Sequence, residues 1–146
     1  MIEVQKDIFF SSDKKDMDME LIYNFIHNSY WGNNRTFEEQ KKAVENTLNF
    51  GLFHNGNQIA FTRVMTDFVF FAYILDVFVI EDYQGKGLSK LLMKHILEHE
   101  PIKNVDKWIL ATRDAHGLYS KFGFESLKNP DMIMEKMSER AKKIYQ

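Results

Sequence analysis

The run Gln84-Gly85-Lys86-Gly87-Leu88-Ser89 is the part of this chain best suited to hold a charged ligand. It joins an apolar stretch ending near Ile80 to a segment with apolar residues at helical spacing, which predicts a strand, a tight turn and a helix start. The first amides of a helix have no intrahelical partners, and the helix dipole places partial positive charge there. Gly85 and Gly87 let a phosphate approach the main chain without a Cβ in the way, and Lys86 adds a full positive charge. The chemistry implied is anion capture.

Neither common nucleotide loop fits this anion trap. The P-loop needs four residues between its first glycine and Gly-Lys, a spacing absent here, and the Rossmann pattern needs a glycine where Lys90 stands. Asp76 lies inside the apolar run, where a carboxylate is costly unless paired. Two readings follow: a base that takes a proton from a substrate, or an ion pair with Arg63 on the neighbouring predicted strand. Asp114 and His116 are further candidates for a base. His95 and His99 lie four apart on a predicted helix, but Ile96 replaces the glutamate of HExxH; they read as a solvated face, and no metal is expected. The chain has no cysteine, which excludes a Cys-ligated zinc, a disulfide framework and a cysteinyl thioester.

These residues need a scaffold to hold them. Residues 2–10 predict a strand, and 16–30 a helix with Leu21, Ile22, Phe25 and Ile26 on one face. Thr36 stands three residues before Glu39, a capping box opening a second helix to about 48. Asn55-Gly56 predicts a tight hairpin between strands at 51–53 and 58–65. Residues 68–80 predict a strand buried on both faces, Leu88 onward a helix that ends near Glu100-Pro101, and 107–111 a short strand. Residues 114–122 predict a helix stopped by Gly123; strands at 124–127 and 133–137 and a polar terminal helix complete the pattern. The order β-α-α-β-β-β-α-β-α-β-β describes an α+β (mixed α/β) chain with a mixed sheet.

At 146 residues, 45% of them hydrophobic, the chain suits one domain over 1–146 with a real core. A formal net charge of -2 gives no bulk support to nucleic-acid binding. No segment has the roughly 18–20 consecutive apolar residues of a membrane span, and residues 1–10 do not read as a signal peptide. A cytoplasmic protein without membrane or nucleic-acid partners is the expectation.

The Gln84–Ser89 run resembles the Gln/Arg-x-x-Gly-x-Gly/Ala pyrophosphate loop of the GNAT superfamily of N-acetyltransferases, with Ser89 at the last small position. A second segment, Ala115-His-Gly-Leu-Tyr119-Ser-Lys-Phe-Gly123-Phe124, is similar to that family's Ala-x-x-x-Tyr-x-x-x-Gly-Phe stretch. Thr112 stands where the family often has asparagine. The resemblance implies a GNAT-like fold whose fourth strand, here 73–80, splays from the fifth, here 107–111. It implies acetyl-CoA as cosubstrate, with Gln84, Gly85, Lys86, Gly87, Leu88 and Ser89 on the pyrophosphate. Backbone groups of Val77, Phe78 and Val79 would meet the pantetheine arm and the thioester, and Thr112 and Tyr119 would also border the cofactor. Tyr119 would donate a hydrogen bond or proton to the departing thiolate, while an amine acceptor attacks directly near Tyr30 and Trp31. By analogy with relatives, a homodimer is expected too. A non-catalytic acyl-CoA-binding module on the same fold remains the alternative.

Overall fold

Side-chain caps open the first two helices. The Asp18 carboxylate accepts from the Leu21 amide at 3.0 Å and starts α1 (Met19–His27). Thr36 and Glu39 form the reciprocal capping box of α2 (Phe37–Glu45). Both helices are shorter than the apolar periodicity predicts, because residues 14–16 form a separate 3-10 turn and Leu48 already belongs to a strand.

The computed structural model describes residues 1–144. Its sheet has six strands in chain order: β1 (Ile2–Gln5), β2 (Ile8–Ser11), β3 (Leu48–His54), β4 (Asn57–Thr66), β5 (Phe71–Val79) and β6 (Lys107–Leu110). The first five pair antiparallel in succession, while β5 and β6 run parallel, joined through α3 (Leu88–Leu97). A parallel pair requires such a crossover. After β6 come α4 (His116–Ser120) and α5 (Glu139–Ile144). No helix among the described residues is long and apolar enough to cross a membrane.

Three expectations change. Residues 2–10 form a hairpin, not one strand, because Asp7 turns the chain at φ 62°. The strand expected from Phe68 begins at Phe71, because the Asp67 carboxylate accepts the amides of Val69, Phe70 and Phe71 and holds them in a turn. The last two expected strands do not form: residues 121–138 are irregular apart from a 3-10 turn at Pro130–Met132. A short strand holds by burying one face, whereas Leu127, Ile133 and Met134 lie exposed.

The core lies on both faces of the sheet. Phe53, Phe61 and Phe78 meet Ile22 and Ile26 of α1 and Val44 of α2. Leu52, Ile74 and Val79 meet Leu92 and Ile96 of α3 and Tyr119 of α4. Phe78 and Val79 thus face opposite ways, as neighbours on a strand must. Stacking of Phe25 on Phe78, centroids 4.1 Å apart, seats α1 at the far end of β5.

Candidate active site

Strands β5 and β6 pair only over Phe71–Ile74 and Lys107–Leu110. Beyond Ile74, β5 runs on to Val79 without a partner on that side. A bulge lies at that point. Phe61 opposes Phe78 and Arg63 opposes Leu75, so Thr62 alone faces both Asp76 and Val77. An extra residue bends a strand and sharpens its twist, here beside the point where β6 ends.

Asp76 holds that bend, at φ 55°, a left-handed conformation that costs a residue with a Cβ. Its Oδ2 accepts from Arg63 Nε at 2.6 Å, Arg35 Nη1 at 2.9 Å and Gln40 Nε2 at 3.3 Å. Burial pushes the carboxyl pKa up, but the Arg35 hydrogen bond and the charges of Arg63 and Arg35 outweigh it and hold the group below its usual range. Of the two readings of Asp76, the ion pair with Arg63 is the one formed. A carboxylate so held is a poor acceptor for a substrate proton. Arg35 and Gln40 were not among the expected residues. The sequence signal was Gln40 itself, a polar side chain one turn before Val44 on the face that α2 turns to the core.

At the far end of β5 the glycine turn opens a pocket of about 220 Å³. Gly85, Gly87, Leu88 and Ser89 line it, with Val79 at its edge. Gly85 (φ 77°) and Gly87 (φ 76°) are left-handed, and a Cβ on either would meet no protein atom within 4 Å. The turn therefore requires glycine, and the space beside it is free for a ligand. Gly87 caps α3 without a side-chain bond, and the first helical bond runs from the Leu91 amide to the Gly87 carbonyl, so the amides before Leu91 have no intrahelical partner. Gln84 turns back to donate to the Val79 carbonyl at 2.8 Å, bracing the turn against β5. Lys86 Nζ sits 5.3 Å from the Tyr83 ring centroid, and the Tyr83 hydroxyl bonds His54 Nδ1 at 2.7 Å. Nothing in the spacing of His54 and Tyr83 announces that contact.

Tyr119 is buried on α4, edge-on to Phe124, and burial pushes its phenol pKa up. The helix is shorter than the expected 114–122: it ends at Ser120, capped by Lys121, and the chain turns on through Gly123 (φ 89°), with the Phe124 amide donating to the Tyr119 carbonyl. Thr112 Oγ1 accepts the Ala115 amide at 3.1 Å and so shapes the approach to Tyr119. Asp114 and His116 stand exposed on the same approach. The backbone of Val77, Phe78 and Val79 lies along the unpaired length of β5. His95 and His99 are half-buried against Phe10 and Phe50, not a solvated face. Opposite β6, Arg113 stacks over Tyr30 at 4.2 Å, and Arg35 lies 5.4 Å from the Trp31 ring.

Known proteins share this arrangement. The family model for the acetyltransferase (GNAT) domain matches residues 46–126. An uncharacterized N-acetyltransferase of Pyropia yezoensis is 30% identical over 134 residues, which covers 88% of this chain and 75% of the relative. A second, from Gracilaria tenuistipitata var. liui, is 32% identical over 107 residues; the match takes in 68% of this chain and 57% of that longer protein. Among solved structures, one described as a GNAT-family acetyltransferase from Xanthomonas campestris pv. campestris superposes with a TM-score of 0.87 at 35% identity, covering 90% of this chain and 93% of that one. An acetyltransferase from Clostridium acetobutylicum, solved with acetyl-CoA, shares the fold at a TM-score of 0.65 and 15% identity, covering 89% and 96%. With its glycine turn, its diverging strands and the segment ending at Phe124 all inside the matched residues, the chain belongs to the GNAT acetyltransferase family.

Proposed function

We propose that this chain moves an acetyl group from acetyl-CoA to a primary amine, both reactants being bound at once. One observation carries the reading: the open pocket at the Gly85–Gly87 turn lies at the end of the same strand that parts from β6 beyond Ile74. A diphosphate gripped by the turn would direct its pantetheine arm along the free edge of β5. The two glycines leave room for that diphosphate, and amides at the start of α3 supply donors.

Acetyl-CoA supplies the reactive thioester. The residues here orient it and manage charge. Backbone groups of Val77, Phe78 or Val79 would pair with the arm like an added strand. One N–H directed at the thioester oxygen would lower the barrier by about 3–4 kcal/mol. The amine lone pair forms the new C–N bond, the C–S bond breaks, and the electron pair leaves on sulfur. Tyr119, its phenol kept neutral by burial, donates to that sulfur. Asp76 acts as a positioning residue that fixes the bend, and water takes the proton released by the amine.

The test is thiol release from acetyl-CoA against an amine panel; a chain without cysteine adds no thiol background. Turnover with some amine is the expected result. A protein whose melting temperature is untouched by acetyl-CoA would end the reading at its first step.

A further inference from the structure

The loop between α1 and α2 is fastened to both sides of the open sheet. Arg35 bonds Asp76 on β5, and Tyr30 lies beneath Arg113, three residues past the end of β6. The loop therefore bridges the two strands that diverge. On it lies a cavity of about 530 Å³, walled by Tyr30, Asn33 and Asn34 from the loop and by Arg140, Lys143 and Ile144 from α5.

Among the described residues, no carboxylate lines this cavity. Of the acids nearby, Glu39 is taken up by Arg140 in two hydrogen bonds of 2.5 and 2.9 Å, and Glu139, at the start of α5, pairs with Lys142 at 3.0 Å; Arg140 Nη2 also donates to the Asn34 carbonyl at 2.9 Å. That clasp builds the wall by fixing α5 to the loop. Lys143, one turn from Arg140 on α5, has no ion-pair partner among the described residues. Two amide side chains, a phenol and an ammonium with no ion pair among the described residues make a lining that accepts an anion and repels a second cation.

We propose, resting on the acetyl-transfer reading above, that this cavity receives the far end of the acceptor and selects amines that carry an anionic group over neutral amines and polyamines. Lys143 supplies the charge, and the Asn33 and Asn34 amides supply donors.

Calorimetric titration of the full chain saturated with CoA tests this with matched pairs. These are 6-aminohexanoate against 6-aminohexanamide, and O-phosphoethanolamine against ethanolamine. The anionic member of at least one pair should bind about tenfold more tightly, and Lys143→Gln should remove most of that preference without altering CoA affinity. A preference confined to one pair assigns the anion as carboxylate or phosphate. Equal binding within both pairs, or a preference untouched by Lys143→Gln, overturns the inference. Failure of CoA itself to bind refutes the acetyl-transfer reading and this inference with it. CoA binding without discrimination refutes this inference alone.

Discussion

Asp76 Oδ2 lies 2.6 Å from Arg63 Nε, an ion pair set inside the one bulge between β4 and β5. The Asp76 side chain is 3% exposed and that of Arg63 11%, so neither charge is well served by water if the other is removed. Breaking such a pair costs about 3–5 kcal/mol. Asp76→Asn, which tolerates the left-handed backbone, should therefore destabilise the fold by roughly 3 kcal/mol in urea titration. Because the folded pKa is depressed, the pair's stabilisation is present above the ordinary carboxylate range and is lost as pH falls through the depressed value. The variant should lack that part of the acid limb. A variant as stable as wild type would mean that Asp76 does not hold the bend.

Much of this was legible in the sequence because the signals are local. Thr36 with Glu39, Asn55-Gly56, and the glycines at 85 and 87 each state their backbone geometry within a few residues. The strands expected at 124–127 and 133–137 misled because alternation there is not matched by a partner to bury it. The cage around Asp76 was half visible. Arg63 lies on the adjacent strand, but Arg35 and Gln40 arrive from 41 and 36 positions away, where only tertiary packing can bring them. The clasp between Arg140 and Glu39 spans 101 positions and has no sequence signature.

That clasp can be read directly. The Arg140 hydrogen bond, with the Thr36 amide and the Arg140 charge, draws the Glu39 pKa from 4.5 to about 2, against a small opposing effect of burial. Arg140→Ala should return most of the shift, since the capping-box bond from Thr36 survives, and carboxyl NMR titration of Glu39 measures it. A depressed pKa gives its stabilisation above the unfolded value, lost as pH falls from about 4.5 to about 2. Both partners are largely exposed, so salt should weaken the effect. A Glu39 pKa unchanged in the variant would show that α5 is not held by this pair.

Gly87 and Gly117 make a controlled comparison. Neither has a protein atom within 4 Å of where a Cβ would sit, but Gly87 is left-handed and faces the pocket at the helix start, whereas Gly117 lies within α4. Gly87→Ala should cost about 1–2 kcal/mol of stability and raise the acetyl-CoA dissociation constant about tenfold or more. Gly117→Ala should stabilise slightly and leave binding alone. Equal acetyl-CoA binding by both variants would remove the glycine turn from the ligand site.

Substitution of Tyr119 tests the proposed division between catalysis and binding. Its ring is packed against Phe124 and the α3 side of the core, so Tyr119→Phe keeps the apolar contacts and deletes only the hydroxyl. The expected result is a loss of about 10²-fold or more in kcat with the acetyl-CoA dissociation constant unchanged, read from steady-state kinetics and calorimetry. The pH profile gives a second readout. Burial raises the phenol pKa above 10.0, so the neutral donor persists through neutral pH and the wild-type rate should fall only on the far alkaline side. The same preference for the neutral form means that its share of stability is full below the unfolded value and fades as pH climbs through the raised one. The variant should lose both alkaline effects together. If it turns over at the wild-type rate, the departing sulfur has another donor; if neither protein turns over any amine while both bind acetyl-CoA, the chain is an acyl-CoA-binding module on this fold.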